Sequence, residues 1–156
     1  TGLGMDVHAF AEGRKLILGG EDIPHYQGLD GHSDADVLAH AISDALLGAV
    51  RGGDIGKLFP DTDPAYKDAD SLKLLAEVAR FVRDQGFQII DVDSVIAAQA
   101  PKLSPYREAM RENLAAAMAL PVENVGVKAT TTEHLGHEGR EEGITAYATC
   151  LVCRTG

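Results

Sequence analysis

The chain of 156 residues contains no tryptophan, and aromatic residues make up only 5% of it, so its core has to be built from aliphatic side chains and alanine. Basic residues are scarce: 14 Lys and Arg stand against 24 Asp and Glu, a formal net charge of −10. Such a field repels polyphosphate backbones and anionic lipid, which argues against nucleic acid and membrane surfaces as partners. A small phosphorylated ligand stays open, provided metal ions and backbone N–H groups supply the local positive charge. No run of roughly 18 apolar residues is present, so no transmembrane helix is expected. The N-terminal residues carry no signal-peptide pattern. The expectation is a soluble, intracellular protein.

Cysteine is nearly absent too. Cys150 and Cys153 form a C-x-x-C, a spacing that invites a redox or zinc reading. The run from Ile144 to Cys153 alternates like a strand, and positions three apart on a strand face opposite sides. The two sulfurs are therefore expected to diverge and serve as small packing groups.

Against this background the metal-ligand residue types stand out. Asp6-Val7-His8 lies near the amino end, followed by His32-Ser33-Asp34-Ala35-Asp36 and His40. Asp, His and His are three protein ligands of a catalytic zinc site, whose fourth position stays open. Asp6 and His8 are two apart on an expected strand and so share a face, while His40 lies about two turns into an expected helix. Asp36, His40 and Asp44 fall at successive i, i+4 positions on that helix. They read either as a solvated polar face or as a ligand, His40, with a neighbouring carboxylate holding its second ring nitrogen. His32, before the helix, reads as an anion contact at a helix start or as a loop histidine.

The spacing predicts an α+β chain in one domain, 1–156. Leu3–His8 is an expected strand, Leu16–Pro24 a hairpin over Gly19-Gly20, and Gly28–Gly31 a loop. A helix is expected to start with Ser33 as its N-cap, to carry an apolar stripe through Val37, Leu38, Ala41, Ile42, Ala45 and Leu46, and to end near Gly48 or Gly52. Gly52–Asp70 has no periodicity and five Asp, a long loop of the kind that is usually functional. A second helix runs from Ser71 to Gln85, a strand from Phe87 to Gln99, and a third helix follows Pro105. Val125–Ala129 and Ile144–Cys153 are the last strands. The result is a mixed or antiparallel sheet of about four to five strands with helices on one face. The last strand, half apolar and half Thr/Tyr, predicts that the other face is buried against a second subunit.

Three further clusters carry chemistry. Asp54-Ile-Gly56 and Asp61-Thr-Asp63 open the long loop, where glycine allows close approach and Asp can hold a hydroxyl; an acidic turn is the plain alternative. Thr130-Thr131-Thr132-Glu133 comes off a strand, suiting a phosphate beside a divalent cation, or reflecting β propensity alone. Arg140, between acids, is either an ion pair or an anion anchor.

The blocks D-V-H (6–8), H-S-D-x-D-x-x-x-H (32–40), D-A-L-L-G (44–48), G-D-I-G-K-L-F-P-D-T-D-P (53–64), A-Q-A-P-K (98–102) and K-A-T-T-T-E (128–133) occur in this order. Together they resemble the 2-C-methyl-D-erythritol 2,4-cyclodiphosphate synthase family of non-mevalonate isoprenoid biosynthesis. The resemblance implies that Asp6, His8 and His40 bind one Zn²⁺ per subunit. It implies that Glu133 helps hold a second ion, Mg²⁺ or Mn²⁺, with the substrate. His32 and Thr131 match residues that stabilise the transition state. Ser33, Asp54, Gly56, Asp61 and Asp63 match the erythritol side of the pocket, and Ala98, Pro101, Lys102, Leu103, Ser104, Thr130, Thr131 and Thr132 the cytidine diphosphate side. It further implies a homotrimer with active sites between subunits. Arg140 matches a residue facing a central cavity in which some members hold isoprenoid diphosphates. Many members carry Phe where this chain has His137, and the titratable ring predicts a weak cavity ligand or none.

Overall fold

The computed structural model describes residues 1–60, 62–66 and 69–156. Asp61, expected in the substrate pocket, lies outside them. Strand β1 spans Gly2–Ala11, β2 Leu16–Leu18, β3 Glu21–Ile23 and β4 Gly28–Leu29. Helices α1 (Val37–Ala49), α2 (Ile55–Leu58) and α3 (Ser71–Asp84) follow, then β5 (Phe87–Ala97), α4 (Arg107–Met118), β6 (Lys128–Thr130), α5 (Gly136–Gly139) and β7 (Gly143–Arg154).

Five strands form a mixed sheet in the order β4-β1-β7-β5-β6, with β5 and β6 parallel and the other neighbours antiparallel. The parallel pair is joined through α4, the long crossover that parallel strands require. Strands β2 and β3 form the separate hairpin. Gly19 and Gly20 both take positive φ, +54° and +76°, as a two-residue turn matching strand twist demands.

Helices α1, α3 and α4 lie on one side of the sheet, and the short α5 sits against Thr145 on the other. Val37, Leu38, Ala41, Ile42, Ala45 and Leu46 of α1 are fully buried against the sheet, and the expected stripe is the observed one. The approach is closest at β1. A Cβ on Gly2 would lie 1.8 Å from the Ala45 carbonyl oxygen, and one on Gly4 2.0 Å from that of Ala41. Bare backbone on the strand and alanine on the helix let the two elements touch main chain to main chain. The same strand face continues into Asp6 and His8, and His40 directly precedes Ala41. The close contact is thus what delivers the helix histidine to the strand pair.

The opposite face exposes Leu3, Met5 and Val7 of β1 and Tyr147 and Leu151 of the central strand β7. Cys150 is buried on the helix side, where its Sγ meets the Ala45 oxygen at 3.3 Å, while Cys153 is exposed and both are free thiols. The divergence expected from strand alternation is the observed arrangement.

Three expectations need correction. Ser33 is not the α1 N-cap; that residue is Asp36, whose side chain accepts from Ala39 N. Asp36 also accepts from Gly19 N and Gly20 N, at 2.9 and 2.8 Å, so one buried carboxylate caps the helix and holds the hairpin turn. Gly28–Gly31 is not wholly loop, because Gly28 and Leu29 pair with Ala11 and Phe10. The long acidic segment also contains the one-turn helix α2, capped by the Asp54 side chain on Lys57 N.

Candidate metal centre and active-site cavities

Asp6, His8 and His40 converge, with one ligand atom from each within 4.8 Å of the others. Asp6 Oδ2 lies 2.9 Å from His8 Nε2 and 3.2 Å from His40 Nδ1. A tetrahedral zinc with bonds of about 2.0–2.2 Å asks for ligand separations of roughly 3.3 Å, so the trio needs little movement to close on an ion. The remaining ring nitrogens are already engaged. His8 Nδ1 is 2.7 Å from the Asp30 carbonyl oxygen, and His40 Nε2 is 2.8 Å from Ser71 Oγ and 3.2 Å from Ser33 Oγ. A carbonyl only accepts, so Nδ1 of His8 carries a proton, and Nε2 is the nitrogen available to a metal. The donor set and its outer partners fit a zinc site.

Burial opposes ionisation of Asp6, but its bonds to His40 and His8 outweigh this and hold the carboxyl at about 2. For His8, burial disfavours the imidazolium, yet the Asp6 carboxylate beside it pushes the ring above its ordinary 6.5. The Asp6 carboxylate therefore stays ionised at neutral pH, a negative charge between the two rings.

The orienter of His40 differs from the expected one. Neither Asp36 nor Asp44 touches its second nitrogen: Asp36 serves the hairpin turn, and Asp44 accepts from Ile55 N at 2.7 Å, fixing α2. Ser71, at the start of α3, takes that place.

The trio forms the floor of a cavity of about 400 Å³ whose walls include His32, Ser33, Gly56, Phe59, Pro60 and Leu74. Ser33 is positioned by Arg14, whose Nη2 donates to its carbonyl at 2.8 Å. His32 Nε2 is 3.0 Å from the Asp63 carbonyl oxygen. Asp54 sits beside Gly56 as the α2 cap, with its second carboxylate oxygen outside that bond.

A second cavity, of about 300 Å³, is lined by Ala98, Gln99, Pro101, Lys102, Leu103 and Ser104 on one wall and by Ala129, Thr130 and Thr131 on the other. Gln99 and Ala129 were not singled out from sequence. The Thr131-to-His134 loop departs from ordinary backbone: Glu133 and His134 both adopt positive φ, +55° and +63°, and such strain in non-glycine residues concentrates at functional sites. Gln99 Oε1 holds the loop by accepting from His134 N at 3.0 Å, and Thr132 Oγ1 donates to the Leu135 oxygen. Glu133 is exposed and is not a member of the Asp6–His8–His40 cluster.

The two cavities lie at the same end of the sheet but on different strands. His8 pairs with Ile144, Thr145 with Ala97, and Ala97 with Thr130. Three strand spacings separate His8 from Thr130, about 14 Å. Between them, on the open face, His137 Nε2 is 3.0 Å from Thr145 Oγ1, whose hydroxyl donates to Glu138 Oε2. Arg140 is ion-paired with Glu142 and lines neither cavity. A larger hollow, about 750 Å³, opens around Thr1, Arg51, Asp91 and Leu151, and it holds no metal-ligand trio among the described residues.

The YgbB family profile matches residues 1–153. The chain belongs to the YgbB family. Curated relatives include proteins named 2-C-methyl-D-erythritol 2,4-cyclodiphosphate synthase from Chlorobium phaeobacteroides, 59% identical over 97% of this chain and 95% of the relative. Another from Bacillus cereus is 58% identical over 97% and 96%. Among solved structures, a CDP-bound form of a synthase of that name superimposes with a TM-score of 0.89 at 39% identity, covering 97% of this chain and 99% of that one. A Plasmodium falciparum IspF in complex with CDP gives 0.86 at 30%, over 99% and 96%. The bifunctional IspDF of Campylobacter jejuni gives 0.94 at 46%; this chain covers 42% of that longer protein, and 98% of this chain is matched. Family membership agrees with the resemblance carried by the sequence blocks. No helix of the described residues is long and apolar enough to cross a membrane.

Proposed function

We propose that the chain, acting as one domain over residues 1–156, converts 4-diphosphocytidyl-2-C-methyl-D-erythritol 2-phosphate into 2-C-methyl-D-erythritol 2,4-cyclodiphosphate and CMP. The observation that carries this is the Asp6–His8–His40 cluster at the floor of a cavity walled by His32, Ser33 and Gly56, in a chain whose close relatives bear that synthase's name.

In the reaction an oxygen of the 2-phosphate attacks the β-phosphorus. The bond from that phosphorus to the CMP oxygen breaks, and CMP leaves with the electron pair. No side-chain nucleophile is required, because both reacting groups belong to one substrate. The task of the protein is to fold that substrate so that they meet, and positioning of this kind supplies a large share of the barrier reduction. Zn²⁺ on Asp6, His8 and His40, with Mg²⁺ or Mn²⁺ on Glu133, would polarise the phosphate oxygens and offset the repulsion between two anions.

The chain's own residues do the rest. Ser33 Oγ faces the metal cavity and offers a hydroxyl to a phosphate oxygen, while His32 is steadied by the Asp63 carbonyl beside the same space. Asp54 can accept from an erythritol hydroxyl, and Gly56 keeps the wall low enough for the sugar-alcohol chain. Phe59 and Leu74 exclude water that would otherwise compete as the nucleophile. On the other side, Ala98, Pro101, Lys102, Leu103 and Ser104 form a slot for the cytidine, closed by Thr130, Thr131 and Thr132 near its diphosphate. Thr131 is the hydroxyl assigned to the developing charge.

The working unit in this reading is a homotrimer. The exposed Leu3, Met5, Val7, Tyr147 and Leu151 form an apolar face suited to burial. Packing three such faces brings the metal cavity of one subunit toward the cytidine slot of the next, closing the gap of about 14 Å that one chain leaves open. Arg140 is, in this reading, the anion anchor of the assembled trimer. The setting is the cytoplasm of a bacterium, or a plastid stroma.

The test is a phosphorus NMR time course with the substrate, Zn²⁺ and Mg²⁺, beside a chelated control. Metal-dependent appearance of CMP together with a cyclic diphosphate is the expected outcome. Free phosphate or a linear diphosphate indicates a zinc hydrolase instead, and absence of turnover despite bound zinc indicates a binding scaffold.

A further inference from the structure

Behind His40 lies a chain of polar contacts that the reaction chemistry leaves unused. Asp34 Oδ1 accepts from the Ser71 hydroxyl in a short bond, and Asp34 Oδ2 accepts from Ser71 N at 3.1 Å. Asp34 is itself pinned: its N–H donates to the Ala69 oxygen, and its Oδ1 accepts from Asp36 N at 3.1 Å. Ser71 is fully buried, and its Oγ lies 2.8 Å from His40 Nε2.

The proton count in this chain fixes the Nε2 side of His40. A carboxylate only accepts, so the Ser71 proton is committed to Asp34. Ser71 Oγ is then left with lone pairs toward His40, and the contact is a hydrogen bond only if His40 carries its proton on Nε2. Nδ1, 3.2 Å from Asp6 Oδ2, is then the ring nitrogen on which a metal would replace a proton. The same count bears on Ser33. Its Oγ accepts from Ala35 N and lies 3.2 Å from an Nε2 whose proton it does not need to match, so its own hydrogen can turn to the cavity.

We infer that Asp34 and Ser71 act as a relay that sets the tautomer and orientation of His40, making both of them positioning residues for the metal site. The inference rests on the reading of Asp6, His8 and His40 as the metal ligands. It places the control of that site at the start of α3, 31 residues from the histidine in sequence, and it gives a purpose to an Asp and a Ser that no substrate contact requires. Losing an outer partner of a ligating histidine commonly weakens metal binding about 10–100-fold. Here the loss has a definite form, because without the Ser71 acceptor the Nε2 proton is left with the longer 3.2 Å contact to Ser33 Oγ.

The experiment measures zinc affinity by competition with a chelating dye, with the absorption spectrum of the Co²⁺-substituted protein and the melting temperature of the metal-free protein read in parallel. Ser71→Ala is expected to weaken zinc about 10–100-fold and to shift the cobalt bands, while the metal-free melting temperature stays within a few degrees of the parent. Ser71→Thr, which keeps the hydroxyl, is expected to restore both, and Asp34→Asn, which frees the Ser71 proton, to behave like Ser71→Ala. Unchanged zinc affinity and cobalt bands in Ser71→Ala overturn the relay. So does a loss of affinity that follows the metal-free melting temperature and is not restored by Ser71→Thr. Absence of zinc binding by the unaltered protein is a separate outcome, and it removes the metal reading itself.

Discussion

His40 Nδ1 lies 3.2 Å from Asp6 Oδ2 across 34 residues of sequence, and the contact exists because α1 rests on β1 with no side chain between them. His40→Ala is expected to abolish stoichiometric zinc and reduce turnover to background, while the circular dichroism spectrum and oligomeric state stay as in the parent. Zinc content measured on the purified variant checks this; retention of one zinc per chain would mean that the ligands are misassigned.

Gly4 tests the delivery of that histidine rather than its chemistry. A methyl group there would meet the Ala41 carbonyl oxygen at 2.0 Å, and backbone cannot yield as a side chain tip can. Gly4→Ala is expected to displace α1 and cost about 1–3 kcal/mol, the usual range for overpacking. Zinc affinity should fall with it, although no ligand has been touched. Denaturant melts and a zinc titration on the same preparation give both readings.

Proton competition should be visible in metal binding. The His8 ring titrates above 6.5 because of Asp6, and only the neutral ring is a ligand. The proton therefore competes with zinc below that raised pKa, so affinity is highest on the alkaline side and falls as pH drops through it. The expected slope approaches tenfold per pH unit for this one proton. Asp6, held at about 2, adds nothing to the slope above pH 4. A flat profile between pH 8 and 6 would contradict the assignment of His8.

Asp36 ties three backbone donors, Ala39 N, Gly19 N and Gly20 N, to one fully buried carboxylate. Asp36→Ala leaves all three without an acceptor, and buried unmet donors cost about 1–3 kcal/mol each, less than additively. A net loss of about 2–4 kcal/mol is expected in thermal melts. Burial, reinforced by Asp34, pushes the Asp36 carboxyl up to about 6 against the donors that favour its anion. A carboxyl raised on folding binds its proton more tightly in the native state, so its contribution to stability declines as pH rises from about 4 to about 6. The deficit of the alanine variant should accordingly be larger at pH 4 than at pH 7.

Thr131→Ala separates catalysis from metal binding. Turnover is expected to fall about 100-fold, the usual loss for one donor to developing charge, with zinc content unchanged. Loss of zinc would place Thr131 in the wrong half of the site.

The metal trio was readable because each member obeys a local period: Asp6 and His8 the two-residue repeat of a strand, His40 the turn of an amphipathic helix. The partners of His40 were not readable on those terms. The i, i+4 rule pointed to Asp36 and Asp44, whereas the partner is Ser71, brought in by the packing of α3 on α1. Ser33 reads as a helix cap from its residue type, but Asp36 takes that role because the same carboxylate also meets the Gly19-Gly20 turn, a tertiary bond invisible to a local pattern. Helix α2 and strand β4, four and two residues long, are shorter than any period needs to declare itself. The second cavity came from matching blocks rather than spacing, since its two walls, 98–104 and 129–131, meet through the parallel pairing of β5 and β6.

The distance of about 14 Å between the metal floor and the Thr131 loop has a genetic consequence. When a site is assembled from two neighbours, one damaged copy can lend its sound half to another. Chains carrying His40→Ala, inert alone, and chains carrying Thr131→Ala, about 100-fold impaired alone, should together exceed the activity of either when refolded as a mixture. Some of their mixed assemblies then contain a junction where an intact metal floor faces an intact threonine loop. Two lesions in one chain, mixed with nothing, should never do so.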